Sequence, residues 1–222
     1  MSTLTAETVS FSYRNAAQTV QAVRNITCTF RQGQCYAIVG KSGSGKTTFL
    51  SLLAGLELPT DGKICLDGVS TAQLNRDAYR RDHVAVIYQS YNLFPRLTAE
   101  ENVCYPLKLR GISRSAAAAR ARKELLAVGI QESQFRRFPG QLSGGEQQRV
   151  AIARALAADH EIILADEPTG NLDITNSEQI MAILLRLAHE ENRCVILVTH
   201  DLEIASQADS VWLMRDGCLE RS

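Results

Sequence analysis

The sequence predicts an α/β fold in which a mostly parallel sheet is interrupted by a helical insertion. Two observations predict it. Short, nearly continuous apolar runs recur at Cys35-Tyr36-Ala37-Ile38-Val39, His83 to Tyr88, Ile162-Ile163-Leu164-Ala165 and Cys194 to Thr199, and such runs suit strands buried on both sheet faces. From Thr98 to Ala158 the pattern lapses into mostly helix-forming composition, and strand-helix alternation then resumes.

Taken in order, Val9-Ser10-Phe11-Ser12-Tyr13 alternates as a half-buried strand does. Val23 to Phe30 alternates again, with Ile26, Cys28 and Phe30 on one face. Cys35 to Val39 ends at Gly40, where a glycine-rich turn begins, and a helix follows from Lys46 to about Ala54. Lys63-Ile64-Cys65-Leu66 with Asp67-Gly68 reads as a strand and tight turn. Within the insertion, Ser115 to Arg120 is the clearest helical run, broken by Gly111, Gly129 and Pro139-Gly140. Ser177 to Glu190 reads as a helix. Val211-Trp212-Leu213-Met214 with Asp216-Gly217 reads as a closing hairpin.

Bulk composition narrows the function. The 222 residues are 45% hydrophobic and 22% charged, which allows a sizeable core in one large domain or two small ones. Formal net charge is zero, and Arg80-Arg81 and Arg136-Arg137 make no basic stripe, so no nucleic-acid partner is expected. The cysteines (28, 35, 65, 104, 194 and 218) form no C-x-x-C pair and mostly sit in apolar runs, the pattern of buried thiols in a reducing compartment. Met1 to Phe11 lacks a signal peptide's pattern. The longest apolar runs are four to six residues, where a spanning helix needs about 20. Any action on a membrane is therefore expected to pass through a partner.

Three motifs carry chemistry. Gly40-Lys41-Ser42-Gly43-Ser44-Gly45-Lys46-Thr47 matches G-x-x-x-x-G-K-[ST], between a strand and a helix. Its glycines let successive N–H groups point at phosphate oxygens, and the helix N-terminus adds positive potential. Lys46 is placed to reach β- and γ-phosphates, and the Thr47 hydroxyl to ligate Mg²⁺. Next, the apolar strand Ile162 to Ala165 delivers Asp166 and Glu167 at its C-terminal end, where open α/β sheets place ligands. Asp166 can hold Mg²⁺ and Glu167 can polarise the attacking water. Last, Leu142-Ser143-Gly144-Gly145-Glu146-Gln147-Gln148-Arg149 opens a helix. Ser143 with Glu146 reads as a capping box, and a capped, glycine-flanked helix start is also a second phosphate-binding surface. One chain with two such surfaces suggests two chains sharing each nucleotide.

Through these motifs the chain resembles the nucleotide-binding domain of ATP-binding-cassette (ABC) transporters along essentially its whole length, Leu142 to Glu146 matching that family's signature. Gln89 stands at the Q-loop position, Asn171-Leu172-Asp173 at the D-loop, His200 at the switch histidine, and Tyr13 at the aromatic that stacks on adenine. Tyr13 also fits a plain edge-strand aromatic. His83, His160 and His189 match no family element. The resemblance implies a P-loop NTPase (RecA-like) core with an N-terminal antiparallel β subdomain and an inserted α-helical subdomain. As one cassette of residues 1–222, its core is expected over 1–88 and 160–222 and its signature subdomain over 89–159.

The mechanism it implies is a head-to-tail dimer of two copies. ATP would be bound by Tyr13, by the loop residues Gly40, Ser42, Gly43, Ser44 and Gly45, and by Lys46, Thr47 and Thr48 of one chain. Ser143, Gly144, Gly145 and Asp173 would complete the site from the other. Thr47, Gln89 and Asp166 would serve Mg²⁺, and Glu167, His200 and Gln89 hydrolysis. Cleavage removes the shared γ-phosphate contact and releases the pair.

The runs Ala165 to Asp173 and Gln89 to Val103 are similar to the lipoprotein-release, macrolide-export and antimicrobial-peptide-resistance ATPases. Lys41 and Tyr88 depart from the family's frequent proline and phenylalanine there. Tyr91 to Leu97 reads either as a satellite cluster or as a groove for a cytoplasmic helix of an integral membrane permease, and the resemblance favours docking. It implies an exporter subunit at the cytoplasmic face of the cell membrane. A cell-division ATPase regulating a membrane partner and an importer subunit are the alternatives, the latter disfavoured because the chain's close at Ser222 is expected to leave no room for a regulatory domain. With 96 positions from Lys46 to Leu142 and one cassette, the chain does not match DNA-repair or ribosomal relatives.

Overall fold

Two sheets organise the chain, and the computed structural model describes residues 2–14, 19–170 and 172–221 of it. β1 (Thr3–Arg14) pairs antiparallel with β2 (Thr19–Arg31) and with β4 (Asp61–Leu66), and β5 (Val69–Ser70) completes the order β2-β1-β4-β5. This is the expected antiparallel N-terminal layer. As the alternation predicts, Ile26, Cys28 and Phe30 are all buried.

The second sheet holds β3 (Gln34–Val39), β6 (Val84–Ile87), β7 (Ile162–Asp166), β8 (Cys194–Thr199), β9 (Ser210–Arg215) and β10 (Cys218–Arg221), in the order β10-β9-β3-β8-β7-β6. Neighbours from β9 to β6 run parallel, and β10 turns back on β9. Every residue of β8 is buried, as its unbroken apolar run requires of a central strand. Each such aliphatic side chain contributes about 1.5–3 kcal/mol. The predicted closing hairpin forms, and its first strand lies beside β3, so the chain's last turn reaches the end of the phosphate loop.

α1 (Lys46–Leu53) follows that loop and buries Phe49, Leu50, Leu52 and Leu53 between the two sheets. The helix-forming middle folds as α3 (Ala99–Leu109), α4 (Arg114–Ala127) and α5 (Gly144–Ala157), packed on one another. Thr98, Ser113 and Ser143 cap their N-termini. α6 (Ile174–His189) packs its apolar face, Ile180, Met181, Leu184 and Leu187, on the core sheet.

β1 and β2 start earlier than the alternation indicates, at Thr3 and Thr19, β5 is unexpected, and three helices also differ from the expectation. α2 (Arg76–Asp82) is polar except for Ala78 and the buried Tyr79, which leaves no helical period to detect. α7 (Leu202–Ala205) is a single turn. α6 begins before Ser177, at Ile174, because Asp173 caps it; Ile174 is 79% exposed and interrupts the apolar stripe. Five cysteines are buried and Cys218 is exposed. Burial pushes the Cys28, Cys35 and Cys194 thiols up to about 12, so they remain protonated.

Candidate active site

The loop between β3 and α1 is folded by its own sequence. Gly45 has φ 105°, a left-handed conformation, and a Cβ there would stand 2.2 Å from the Ala22 carbonyl oxygen. Only glycine lets the loop approach β2 so closely. The last hairpin fastens the other side, since the Gly217 N–H donates to Ser44 O at 3.0 Å and the Arg24 N–H to Gly217 O at 2.8 Å. α1 then starts with no side-chain cap and no acidic residue in its first turn. Its leading N–H groups and positive dipole end suit an anion.

A cleft of about 1130 Å³ opens over this loop. It is lined by Tyr13, Lys41, Ser42, Gly43, Gly45, Lys46, Thr47 and Thr48 on one side and by Gln89, Asp166, Glu167 and His200 on the other. Residues from three strand ends and two loops thus converge where the sequence places them. Gly40 and the buried Ser44 lie just behind, and the Ser44 hydroxyl finds no hydrogen-bond partner among the described residues. Lys46 is 7% exposed, and its ammonium donates to Gly40 O at 2.6 Å and Lys41 O at 3.1 Å. These bonds lay the cation along the loop that would wrap the phosphates.

The acids stand opposite. Thr47 Oγ1 donates to Asp166 Oδ1 at 3.2 Å. Burial pushes the Asp166 carboxyl up; the Thr47 hydrogen bond opposes this, the Glu167 charge reinforces it and Lys46 opposes it. A half-buried carboxylate beside a hydroxyl, both oxygen donors, fits a hard divalent cation, which would relieve that desolvation. Glu167 has φ 46°, a left-handed turn that costs a non-glycine residue about 1–3 kcal/mol. Its N–H is held by Val198 O at 3.0 Å, and its carboxylate meets His200 Nδ1 at 2.9 Å. The two acids therefore enter one cleft together with the histidine.

The remaining predicted residues lie outside the cleft. Ser143 is exposed at the start of α5, where its Oγ accepts from the Glu146 N–H at 3.3 Å and its own N–H donates to Glu146 Oε2 at 2.6 Å, completing the capping box. Gly144 and Gly145 follow it. The Asp173 carboxylate caps α6 through the Asn176 N–H at 2.8 Å, and these hydrogen bonds hold it below the usual carboxylate range. Asn171 falls outside the described residues. Of the unmatched histidines, His160 is buried between Ala155 O and Arg81 O, and His189 bonds Asp209.

Sequence reading missed a further part of the cleft's lining, Val20, Gln21, Ala22, Arg24, Asp216 and Gly217. The Asp216-Gly217 turn was legible as a turn, but nothing local places it against the phosphate loop. Near the expected docking segment, Leu93 packs on the core while Phe94 is 40% exposed, its ring 4.6 Å from that of the half-exposed Tyr105. Both border a shallow groove of about 270 Å³ with Val84, Pro106, Arg154 and His160.

Known proteins resemble this chain in sequence and fold. The family model described as ABC transporter matches residues 23–170. YclH of Bacillus subtilis, an uncharacterized ABC transporter ATP-binding protein, is 43% identical over 209 residues, covering 94% of this chain and 92% of its own. The lipoprotein-releasing system ATP-binding protein LolD of Chromohalobacter salexigens is 42% identical over 219 residues, covering 97% and 92%. The dimeric structure of MJ0796, described as a bacterial ABC transporter cassette, superposes with a TM-score of 0.92 at 38% identity, over 98% of this chain and 97% of that one. The two sheets and the helical insertion are those of the RecA-like ABC ATPase fold. By this match and by these relatives along nearly its whole length, the chain belongs to the ABC transporter family, as an ATP-binding and ATP-hydrolysing subunit.

Proposed function

We propose that two copies of this chain close head to tail on two ATP molecules and so drive an integral membrane permease from the cytoplasmic face of the membrane, in an export or extrusion system. One observation carries the shared site: the chain has two phosphate-seeking surfaces, and Ser143 to Gly145 do not line the cleft that holds Lys46. A second copy turned end for end brings its signature over that cleft. The dimeric MJ0796 structure and the likeness to LolD support the assembly and the export setting.

In this reading Tyr13 stacks on the base, the loop amides with Lys46 and Thr48 hold the phosphates, and Ser143 and Gly145 of the second copy cap the γ-phosphate. Thr47, Asp166 and Gln89 would hold Mg²⁺, which when bound neutralises charge on the β- and γ-phosphates. Glu167 takes the proton of the attacking water, and His200, hydrogen-bonded to it, orients the carboxylate and the γ-phosphate. A permease helix would seat on the groove beside Phe94 and Tyr105. Among the described residues no helix is long and apolar enough to cross a membrane, so the spanning part of the system is assigned to that partner.

Glu167→Gln tests the core of this proposal. It should keep ATP affinity, lose turnover and accumulate as an ATP-bound dimer in sedimentation with Mg-ATP. Unchanged hydrolysis would remove Glu167 from the mechanism, and a strictly monomeric ATP-bound protein would remove the shared site.

A further inference from the structure

The start of α5 is not free-standing: Arg149, at the end of the signature motif and so far without a role, joins it to Asn176 of α6. Arg149, one turn into the helix, donates from Nη1 to Asn176 Oδ1 at 2.9 Å and reaches Gln179 Oε1 at 3.3 Å. The Asn176 Nδ2 donates in turn to both Asp173 oxygens, at 3.0 and 2.9 Å. Every polar atom of the Asn176 amide is thereby used, and the chain of donors and acceptors fixes which way round it sits. The amide also lies directly on the signature. A Cβ built on Gly145 would stand 2.5 Å from Asn176 Oδ1.

These bonds cross between two helices that pack mainly elsewhere, α5 on α3 and α4, and α6 on β3 and β8. The end of α6 they reach is tied closely to the hydrolytic acids. From Glu167 the chain makes two turns, Gly170 N–H to Glu167 O at 3.1 Å and Leu172 N–H to Thr169 O at 3.0 Å, and then Asp173 caps α6.

We propose that Arg149 and Asn176 are positioning residues for the signature: they hold the first turn of α5 against the first turn of α6. This rests on the head-to-tail dimer proposed above. In that dimer the surface one chain offers to its partner's nucleotide is set by the segment that leaves its own Asp166 and Glu167. A shift at either nucleotide is then felt at the other through Asp173, Asn176 and Arg149. Neither positioning residue lines its own chain's cleft.

The test uses Asn176→Ala, Arg149→Met and Arg149→Lys, each in the full chain with and without Glu167→Gln. Asn176→Ala keeps the backbone N–H that Asp173 caps, so α6 should remain formed. Calorimetry with ADP reads each chain's own cleft and should give wild-type affinity. Sedimentation against ATP concentration in the Glu167→Gln background reads closure, and the midpoint should rise about tenfold for Asn176→Ala and Arg149→Met. Arg149→Lys, which restores a cationic donor, should recover part of that shift. In the chains with Glu167 intact, the ATP dependence of hydrolysis should lose its cooperativity. A wild-type closure midpoint in both Asn176→Ala and Arg149→Met overturns the inference alone. ADP affinity falling in step with closure also overturns it, since the pair would then act on its own cleft. If the Glu167→Gln chain itself stays monomeric while binding ATP, the dimer reading fails and takes this inference with it.

Discussion

Replacing Lys46 by alanine separates what this residue does for the nucleotide from what it does for the fold. Its side chain is 7% exposed, and the ammonium is satisfied by the carbonyls of Gly40 and Lys41 without a carboxylate ion pair among the described residues. A buried cation held only by carbonyls pays a large part of its desolvation from those bonds, so its net contribution to stability is small. In the alanine variant water entering from the adjoining cleft takes the place of the ammonium. The expected change in folding free energy is within about 1 kcal/mol, which shifts Tm by about 2–4 °C in a chain of this size.

The nucleotide loses far more. A hydrogen bond to a charged group is worth about 1.5–3 kcal/mol, and at 1.4 kcal/mol per decade that weakens binding about ten- to a hundred-and-fifty-fold. Calorimetry with ADP and with ATP, both in the Glu167→Gln background so that neither is consumed, measures this, and a thermal melt of the same sample measures the fold. Wild-type affinity would refute the phosphate role of Lys46. A melt lowered by tens of degrees would refute the energetic argument, because the lysine would then be holding the loop together.

Three further outcomes follow from the geometry. Gly45→Ala puts a methyl 2.2 Å from the Ala22 carbonyl at a left-handed φ, so stability should fall by about 1–3 kcal/mol in chemical denaturation, with ADP binding weakened in the surviving fold. Ser143→Arg should leave ADP binding to one chain intact in calorimetry yet abolish ATP-driven dimers and turnover; normal ATPase activity in this variant would reject the shared site. Tyr13→Ala should weaken ADP about five- to a hundred-and-fifty-fold by loss of stacking, taken as about 1–3 kcal/mol at 1.4 kcal/mol per decade, and leave inorganic triphosphate binding unchanged. Tyr13→Phe should stay near wild type, since the hydroxyl's bond to Thr48 is exposed.

What was legible in the sequence is what is local along the chain. A phosphate loop is eight consecutive residues between a strand and a helix, and a capping box spans four, so Gly40 to Thr47 and Ser143 to Glu146 announce themselves. The apolar runs of β3, β7 and β8 are similarly self-contained. Contacts between remote segments carry no such signal. Nothing near Gly217 says that its N–H will fasten Ser44, and nothing near Arg149 names Asn176 as its acceptor. The segment 91–97 shows the intermediate case: its apolar residues are visible, but Tyr91 and Asn92 both take left-handed φ values of 62° and 46°, and that irregular path sends Leu93 inward and Phe94 outward.

Asp166 and Glu167 make the physical reason plain. In an extended strand adjacent side chains point to opposite faces, so two neighbouring acids at the end of β7 would be expected to separate, one toward each side of the sheet. They line the same cleft because the strand ends at Asp166 and Glu167 turns at φ 46°, with its N–H still caught by Val198 O of the adjoining β8. The turn is unfavourable for glutamate, and it is held by the parallel neighbour rather than by any preference of the local sequence. A strand ending in two acids can therefore be recognised from sequence as a candidate hydrolytic pair, but their convergence on one nucleotide depends on β8, whose own sequence lies nearly thirty residues downstream.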